Sequence, residues 1–367
     1  MKKPEHCYVD IHVLQTVPPS CVNRDDTGSP KTAVYGGVTR ARVSSQAWKR
    51  AVRLEFRNLF APEQLGTRTK RIVGEVAAEI ERLEPLLLPG MAEEKAQAAL
   101  ESAGLSIKDA EKGTDALFFL SSAQAKALAE LTVQEDGLSG KAKKEAYQAA
   151  LKAAPSIDMA LFGRMVAADP SLNYDAAAQV AHSISTHAVQ NEFDYFTAVD
   201  DRAPEDNAGA GHIGTTEFNS ATLYRYATVN VQELAGLLGA EDAVEAVKGF
   251  VRAFCSSMPK GKQNSFANRT TPDLVYVTVR GDQPVNLAGA FEKPVRAGTE
   301  GFVIPSEKAL ASYARQTYAS FVSAPLLALG CSRTEELSEL AELLPLSELV
   351  ERLSASVKAY LTDGGEA

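Results

Sequence analysis

The chain has 367 residues, 45% hydrophobic and 23% charged, with a formal net charge of −9. That length leaves room for two or three compact bodies, and the composition excludes a chain disordered throughout. No apolar run approaches the roughly 18–20 residues of a membrane span, so no membrane partner is expected.

Met1 to His6 lacks the apolar h-region of a signal peptide. Residues 8–14 then alternate, with Val9, Ile11 and Val13 opposite Tyr8, Asp10 and His12, which predicts a half-buried strand. Pro18-Pro19-Ser20 is expected to end it. Residues 23–43 are polar, basic and punctuated by glycine (Gly28, Gly36, Gly37), and read as a long functional loop with a short strand at most. Ser44-Ser45 is an N-cap signal for a helix running to about Phe60. Trp48, Ala51, Val52 and Leu59 share one side of that helix, and Arg50, Arg53 and Arg57 line another.

Residues 67–155 are rich in Ala, Leu, Glu and Lys, broken by Pro85, Pro89-Gly90, Gly104, Gly113 and Gly137, and predict an inserted body of three to five helices. A further helix is expected from Asp175 to Val189. Phe193 to Val199 and Thr215 to Val229 read as strands of a protruding hairpin, joined by a mobile acidic loop from Asp200 to Gly214. Glu241 to Cys255 reads as helix and Leu274 to Val279 as strand. Thr334 to Leu361 reads as amphipathic helix broken at Pro345. The core order of strand, helix, strand, helix, strand suits an α+β body of ferredoxin-like or RRM-like type, although the RNP aromatic signature is absent.

The charge is unevenly spread. From Arg24 to Arg57 eight bases (Arg24, Lys31, Arg40, Arg42, Lys49, Arg50, Arg53, Arg57) face three acids (Asp25, Asp26, Glu55), so this stretch is +5 and the remainder −14. A second basic island, Arg252 to Arg280, holds five bases against Asp273. Such islands in an acidic chain point to a polyanion. The start of the Ser44 helix presents backbone N–H groups and a positive dipole, Lys49, Arg50 and Arg53 add charge beside it, and Gln46 can bond a sugar or phosphate. The loop Pro259-Lys260-Gly261-Lys262-Gln263-Asn264 can bring backbone amides to a phosphate. A solvated basic face is the bland alternative.

Signals for enzyme chemistry are weak. Asp26-Thr27-Gly28-Ser29 matches an aspartic-protease motif, but no second copy exists and no apolar strand precedes it. Gly209-Ala210-Gly211-His212-Ile213-Gly214 matches G-x-G-x-x-G without the strand before and helix after that a dinucleotide site needs. His182 and His187 are five apart, the wrong spacing for two ligands on one helical face, and read as structural histidines. The four cysteines (Cys7, Cys21, Cys255, Cys331) form no C-x-x-C pair. No metal, cofactor or disulfide framework is expected, which fits a reducing cytoplasm.

Several segments taken together resemble the backbone subunit (CasC family) of the type I-E CRISPR surveillance complex, Cascade. They are Ile11-His12-Val13-Leu14, Asn23-Arg24-Asp25-Asp26, Tyr35-Gly36-Gly37 and Arg42-Val43-Ser44-Ser45-Gln46-Ala47-Trp48-Lys49-Arg50. Gly163-Arg164-Met165, His182-Ser183-Ile184-Ser185-Thr186-His187 and Phe196-Thr197-Ala198-Val199-Asp200-Asp201 continue the likeness. Thr216-Glu217-Phe218, Tyr224-Arg225-Tyr226-Ala227 and Ala290-Phe291-Glu292-Lys293 complete it.

The resemblance implies an RRM-like palm (1–62, 182–192 and 223–367 with C-terminal helices), an inserted helical fingers domain (63–181) and a thumb hairpin (193–222). It implies a non-catalytic, cytoplasmic subunit whose copies stack along CRISPR RNA beside other Cascade subunits and present the guide to a target DNA strand. Base pairing carries sequence in such complexes, and protein grips phosphates and shape. Guide contacts by resemblance are Arg24, Lys31, Arg42, Ser44, Gln46, Lys49, Arg50, Arg53, Lys260 and Lys262. Met165 would brace a periodic kink in the guide and Phe196 would wedge it, each having an ordinary core position as its alternative. The related type III backbone subunits cleave target RNA with a palm-loop aspartate, a role open to Asp25 or Asp26. A scaffold that binds only protein is the third reading, and the basic loop argues against it.

Overall fold

A computed structural model describes residues 6–109, 113–134, 137–167, 169–198 and 212–362. In chain order the elements are β1 (Tyr8–Ser20), β2 (Thr32–Tyr35), β3 (Val38–Val43), α1 (Ser45–Glu55), β4 (Gly66–Thr69), α2 (Ile72–Leu83), α3 (Met91–Ser102) and β5 (Phe118–Ser121). Then come α4 (Ser122–Val133), α5 (Gly140–Lys152), α6 (Ile157–Phe162), β6 (Ala178–Val180), β7 (Ser183–Ser185), β8 (Glu192–Ala198), β9 (His212–Asn230), α7 (Val231–Leu238) and α8 (Ala240–Ser256). The rest are α9 (Gln263–Phe266), β10 (Leu274–Arg280), α10 (Val303–Ser320), β11 (Leu327–Ser332), β12 (Glu342–Leu343) and α11 (Leu346–Thr362). The chain is mixed α+β. Two compact units form: Met1–Glu55 with Val180–Thr228 and Phe250–Ser356, and Phe56–Gln179 with Val229–Gly249 and Val357–Ala367.

The first unit is built on a large sheet in the order β12-β11-β10-β1-β9-β7-β3-β2, with β8 also paired to β9. β1 and β10 run antiparallel from Tyr8 opposite Arg280 to Leu14 opposite Leu274. β1 is interior, so both its faces are buried, Asp10 and His12 as fully as Val9 and Ile11. This corrects the half-buried expectation. On one face Leu14, Tyr224, Tyr226, Leu274 and Tyr276 pack with Leu310 and Ala314 of α10 and with Leu287 and Phe291. Some of the polar groups there are paired: the Tyr226 hydroxyl donates to Asp10 at 2.9 Å, the Val285 N–H donates to the other Asp10 oxygen at 2.8 Å, and His12 Nδ1 meets the Tyr224 hydroxyl at 2.9 Å, while His12 Nε2 has no hydrogen-bond partner among the described residues. On the other face Arg225 lies 3.7 Å from the Trp48 ring centre and donates to Gln15 at 2.6 Å and to the Phe254 carbonyl.

Four sequence expectations need correcting. β1 does not stop at Pro18 but continues to Ser20, because its pairing with β10 has already ended at Leu14 and needs no N–H from Pro18 or Pro19. Half of the expected long loop is a hairpin, β2 with β3, closed by Gly36 (φ 60°) and Gly37 (φ 77°). At Gly36 a Cβ would sit 1.7 Å from the Glu292 carbonyl oxygen. No helix forms from Asp175 to Val189: β6 and β7 stand there instead, with Ser183 and Ser185 buried and hydrogen-bonded. The Trp48 indole donates to Ser183 Oγ, and the Ala41 N–H donates to Ser185 Oγ. The tail helix begins only at Leu346, with β12 before it, and α10 and β11 were not foreseen.

The second unit holds the inserted helices. α2, α3, α4 and α5 bury Ile72, Val76, Ile80, Leu100, Leu128 and Leu151 in one core. The β4–β5 pair was not read from sequence. α4 starts with a reciprocal cap, in which Ser121 Oγ accepts from the Gln124 N–H and Gln124 Oε1 accepts from the Ser121 N–H.

Candidate nucleic-acid interface

The basic loop of the first unit is held by its own uncharged and acidic side chains. Asn23 Oδ1 accepts from the Ser44 N–H at 2.9 Å, and its carbonyl accepts from the Lys31 N–H at 2.8 Å. The Lys31 carbonyl accepts from the Arg42 N–H at 2.9 Å. Arg24 and Pro30 form a β-bridge that closes the loop. Asp25 Oδ1 accepts from the Thr27 N–H, the Thr27 hydroxyl and the Ser29 N–H. The Thr27 hydroxyl and these backbone bonds hold its carboxyl below the usual range. Asp26 is exposed on the same loop.

Ser44 also caps α1, its Oγ accepting from the Ala47 N–H at 3.3 Å. The loop and the helix N-terminus are thus one construction joined through Asn23. On α1, Gln46 and Arg50 are exposed, while Lys49 and Arg53 are partly buried. Burial lowers the Lys49 pKa.

The second basic loop lies against the first. A Cβ at Gly261 would come 2.1 Å from the Val22 carbonyl oxygen, so only glycine allows this approach. Lys260 is exposed. Lys262 has a left-handed backbone (φ 44°), and its ammonium donates to the Thr216 hydroxyl of β9 at 3.1 Å. Glu217, next along β9, accepts from the Ser29 hydroxyl at 2.9 Å and from Asn191 at 3.1 Å. Both loops are therefore braced to the root of the β8–β9 hairpin. The structure brings together Arg24, Lys31, Arg42, Ser44, Lys260 and Lys262.

Not every base in the two islands is available. Arg40 is fully buried, and its guanidinium donates to the carbonyls of Tyr35, Ser185, Phe291 and Glu292. Arg280 is buried and paired with Asp282 at 2.7 Å. His187 is structural as expected: Nε2 accepts from the Thr222 N–H, and the ring stacks on Phe302 at 3.7 Å. His182 differs, being exposed with Nδ1 3.3 Å from Arg42 Nη1. This corrects its reading as a structural histidine; its role and the bracing by Asn23 and Glu217 are not visible in the sequence, because nothing local marks residues that meet across 140 and 188 positions.

Phe196 lies on β8, partly exposed, its ring against Gly214. Phe193 and Tyr195 are exposed beside it along the strand. Most of the acidic loop expected at the hairpin tip, residues 199–211, lies outside the described residues. In the second unit, Met165 is 84% exposed, so it is no core residue. Its neighbours are fixed. The buried Arg164 guanidinium donates to Leu172, Phe119, Leu151 and Gln124, and the Val166 N–H donates to Asn173 at 2.6 Å. Among the described residues no cluster of side chains could hold a metal ion, and no helix is long and apolar enough to cross a membrane. The four cysteines are free thiols.

A family model described as CT1975-like protein matches residues 9–354. The chain belongs to that family. It is similar to a chain of a solved "CRISPR RNA-guided surveillance complex, pre-nicking", 35% identical, with a TM-score of 0.81 over 95% of this chain and 100% of that one. A chain of a second "CRISPR RNA-guided surveillance complex" is 32% identical, with a TM-score of 0.63 over 95% of this chain and 99% of that one. No curated protein matches. The Cascade resemblance read from the sequence motifs thus holds at the level of family and fold.

Proposed function

We propose that this chain is a non-catalytic RNA-binding backbone subunit of a type I-E Cascade complex. Copies of it line up along CRISPR RNA, grip the guide's phosphates and leave its bases free for a target DNA strand. In this reading the first unit carries the RRM-like palm and the β8–β9 thumb, and the second carries the helical fingers. Arg24, Lys31, Arg42, Ser44, Gln46, Lys49, Arg50, Arg53, Lys260 and Lys262 contact the guide, while Met165 and Phe196 stand at its kinks.

The supporting observation is the bracing of two basic loops and a capped helix N-terminus into one surface, in a chain 35% identical to one from an RNA-guided complex. Helix N-termini and clustered bases suit phosphates, which carry no sequence information. Asp25 is occupied in holding its own loop, so the cleaving alternative would fall to the exposed Asp26.

Purifying the tagged protein with the products of its neighbouring genes, and sequencing the bound RNA, tests the reading. Repeat-flanked guides of uniform length are expected. Recovery without RNA, or with random RNA, would refute it. Loss of cleavage of guide-paired RNA on replacing Asp25 and Asp26 with alanine would revive the cleaving alternative.

A further inference from the structure

Arg42 leaves β3 with its guanidinium fixed at two points. Nε donates to the Thr32 carbonyl at 3.1 Å, and Nη1 donates to His182 Nδ1 at 3.3 Å. A guanidinium has donors only, so the ring nitrogen it meets must be the acceptor. Hydrogen-bond geometry therefore assigns the neutral imidazole with its proton on Nε2. No other described group takes the remaining N–H bonds of Arg42, which leaves donors of the planar fork open for two oxygens of an anion. His182 itself sits exposed in the two-residue break between β6 and β7, both of which pair with β9, and it adds nothing to the core.

We propose that His182 is a positioning residue: as a neutral acceptor it aims the Arg42 fork at an RNA phosphate, and on protonation it lets the fork go. This rests on the RNA-binding reading given above. The charged groups facing His182 are Arg42 from β3 and Lys31 from the segment ahead of β2, both cationic. Burial first, then these two cations, hold its pKa below the usual histidine value, so the ring is neutral at pH 7. A proton added at Nδ1 removes the acceptor and places a third positive charge beside the two. Affinity for RNA then falls as the pH drops. That sign is opposite to the one expected of a histidine that grips phosphate directly, since such a group binds better when charged.

The test titrates a fluorescent single-stranded RNA of guide length into the full chain from about pH 8 to about pH 5.5 at constant ionic strength. Three proteins are compared: wild type, His182→Asn and His182→Ala. The asparagine Oδ1 stands near the place of Nδ1 and does not titrate. Wild-type binding should weaken toward acid, by less than the roughly tenfold that protonating an unshifted histidine would give at the acid end of the titration. The asparagine variant should match wild type at pH 8 and weaken much less below it. The alanine variant should be weaker throughout, with its log–log salt slope reduced by roughly 0.7. Identical pH profiles for wild type and His182→Asn, or wild-type binding that tightens in acid relative to the variant, would overturn the positioning role and leave RNA binding standing. No RNA binding by wild type at any pH would overturn the RNA-binding reading and this inference with it.

Discussion

Replacing Arg40 should separate scaffold from grip. Arg40 lies in the most basic stretch of the chain, among residues assigned here to RNA contact, yet it is fully buried. Its donors reach the carbonyls of Tyr35 at 3.1 Å, Ser185 at 3.0 Å, Phe291 at 2.8 Å and Glu292 at 3.3 Å. Arg40→Ala strips donors from four acceptors that join the β2–β3 turn to β7 and to the segment after β10. A buried acceptor left without a donor costs about 1–3 kcal/mol, and the four share one guanidinium, so they do not add in full. All four partners are neutral carbonyls, so no charge is left uncompensated and the total loss is on the order of 3 kcal/mol. Arg40→Lys should lose most of that as well, because one ammonium cannot reproduce a planar fork. Arg50→Ala, at an exposed position, should change stability by less than about 0.5 kcal/mol. Urea unfolding of the purified chain reads all three. An Arg40→Ala protein that unfolds with wild type but loses RNA affinity would refute the division between structural and contacting arginines.

Lys49→Ala and Arg53→Ala should weaken guide binding equally for all spacer sequences, each lowering the log–log salt slope by roughly 0.7–0.9; a defect that varied with spacer would mean these residues read bases. Met165→Ala should leave the urea midpoint of the free chain almost unchanged, as its exposure dictates, yet blur the periodic pattern in a chemical footprint of bound guide. Burial raises the Asp10 carboxyl to about 6 and lowers the His12 imidazole to about 3. The Asp10 contribution to stability therefore falls as pH rises from about 4 to about 6, whereas that of His12 is lost as pH falls from about 6.5 toward 3. Asp10→Asn should steepen the rise of stability with pH in that window and His12→Gln should reverse it, and urea midpoints at several pH values would expose the opposite order.

What the sequence made legible was whatever its local pattern determines. The period-two runs at Val9–Val13 and Val275–Val279 became neighbouring strands, and Ser44-Ser45 became the start of a helix. Residues 175–189 were misread because alanines there mimic a helical stretch, while the actual order comes from Ser183 and Ser185 bonding to β3, the Trp48 indole and their own turn. The basic residues show the same limit. Arg40 and Arg42 are two apart on β3, so their side chains lie on the same face. Among the described residues Arg40 meets four carbonyls and Arg42 meets Thr32 and His182, a difference set by residues far along the chain that composition cannot reveal.

The same contacts explain how a chain of net charge −9 can offer a polyanion a favourable surface. Three acids stand in the basic site: Asp26 is exposed, whereas one Asp25 oxygen and both Glu217 oxygens are bonded to the protein. Asp25 accepts from Thr27 and Ser29 within its loop. Glu217 accepts from Ser29 and Asn191. Those bonds set donor dipoles against part of the charge of Asp25 and Glu217, so it acts less on an approaching phosphate than that of an unbonded carboxylate would. Those bonds also hold Arg24 and Lys31 in place before any ligand arrives, which reduces the ordering cost that binding would otherwise carry. Under the RNA-binding reading, removing the Glu217 carboxylate has two opposed effects. It deletes a nearby negative charge, which favours RNA, and it frees the loop, which disfavours RNA. Glu217→Gln keeps an acceptor for Ser29 and removes the charge, so it should bind RNA at least as tightly as wild type. Glu217→Ala should bind more weakly than Glu217→Gln by the loop's ordering cost. If the two variants bound alike in the same titration, the bracing of the loop would contribute nothing to the grip.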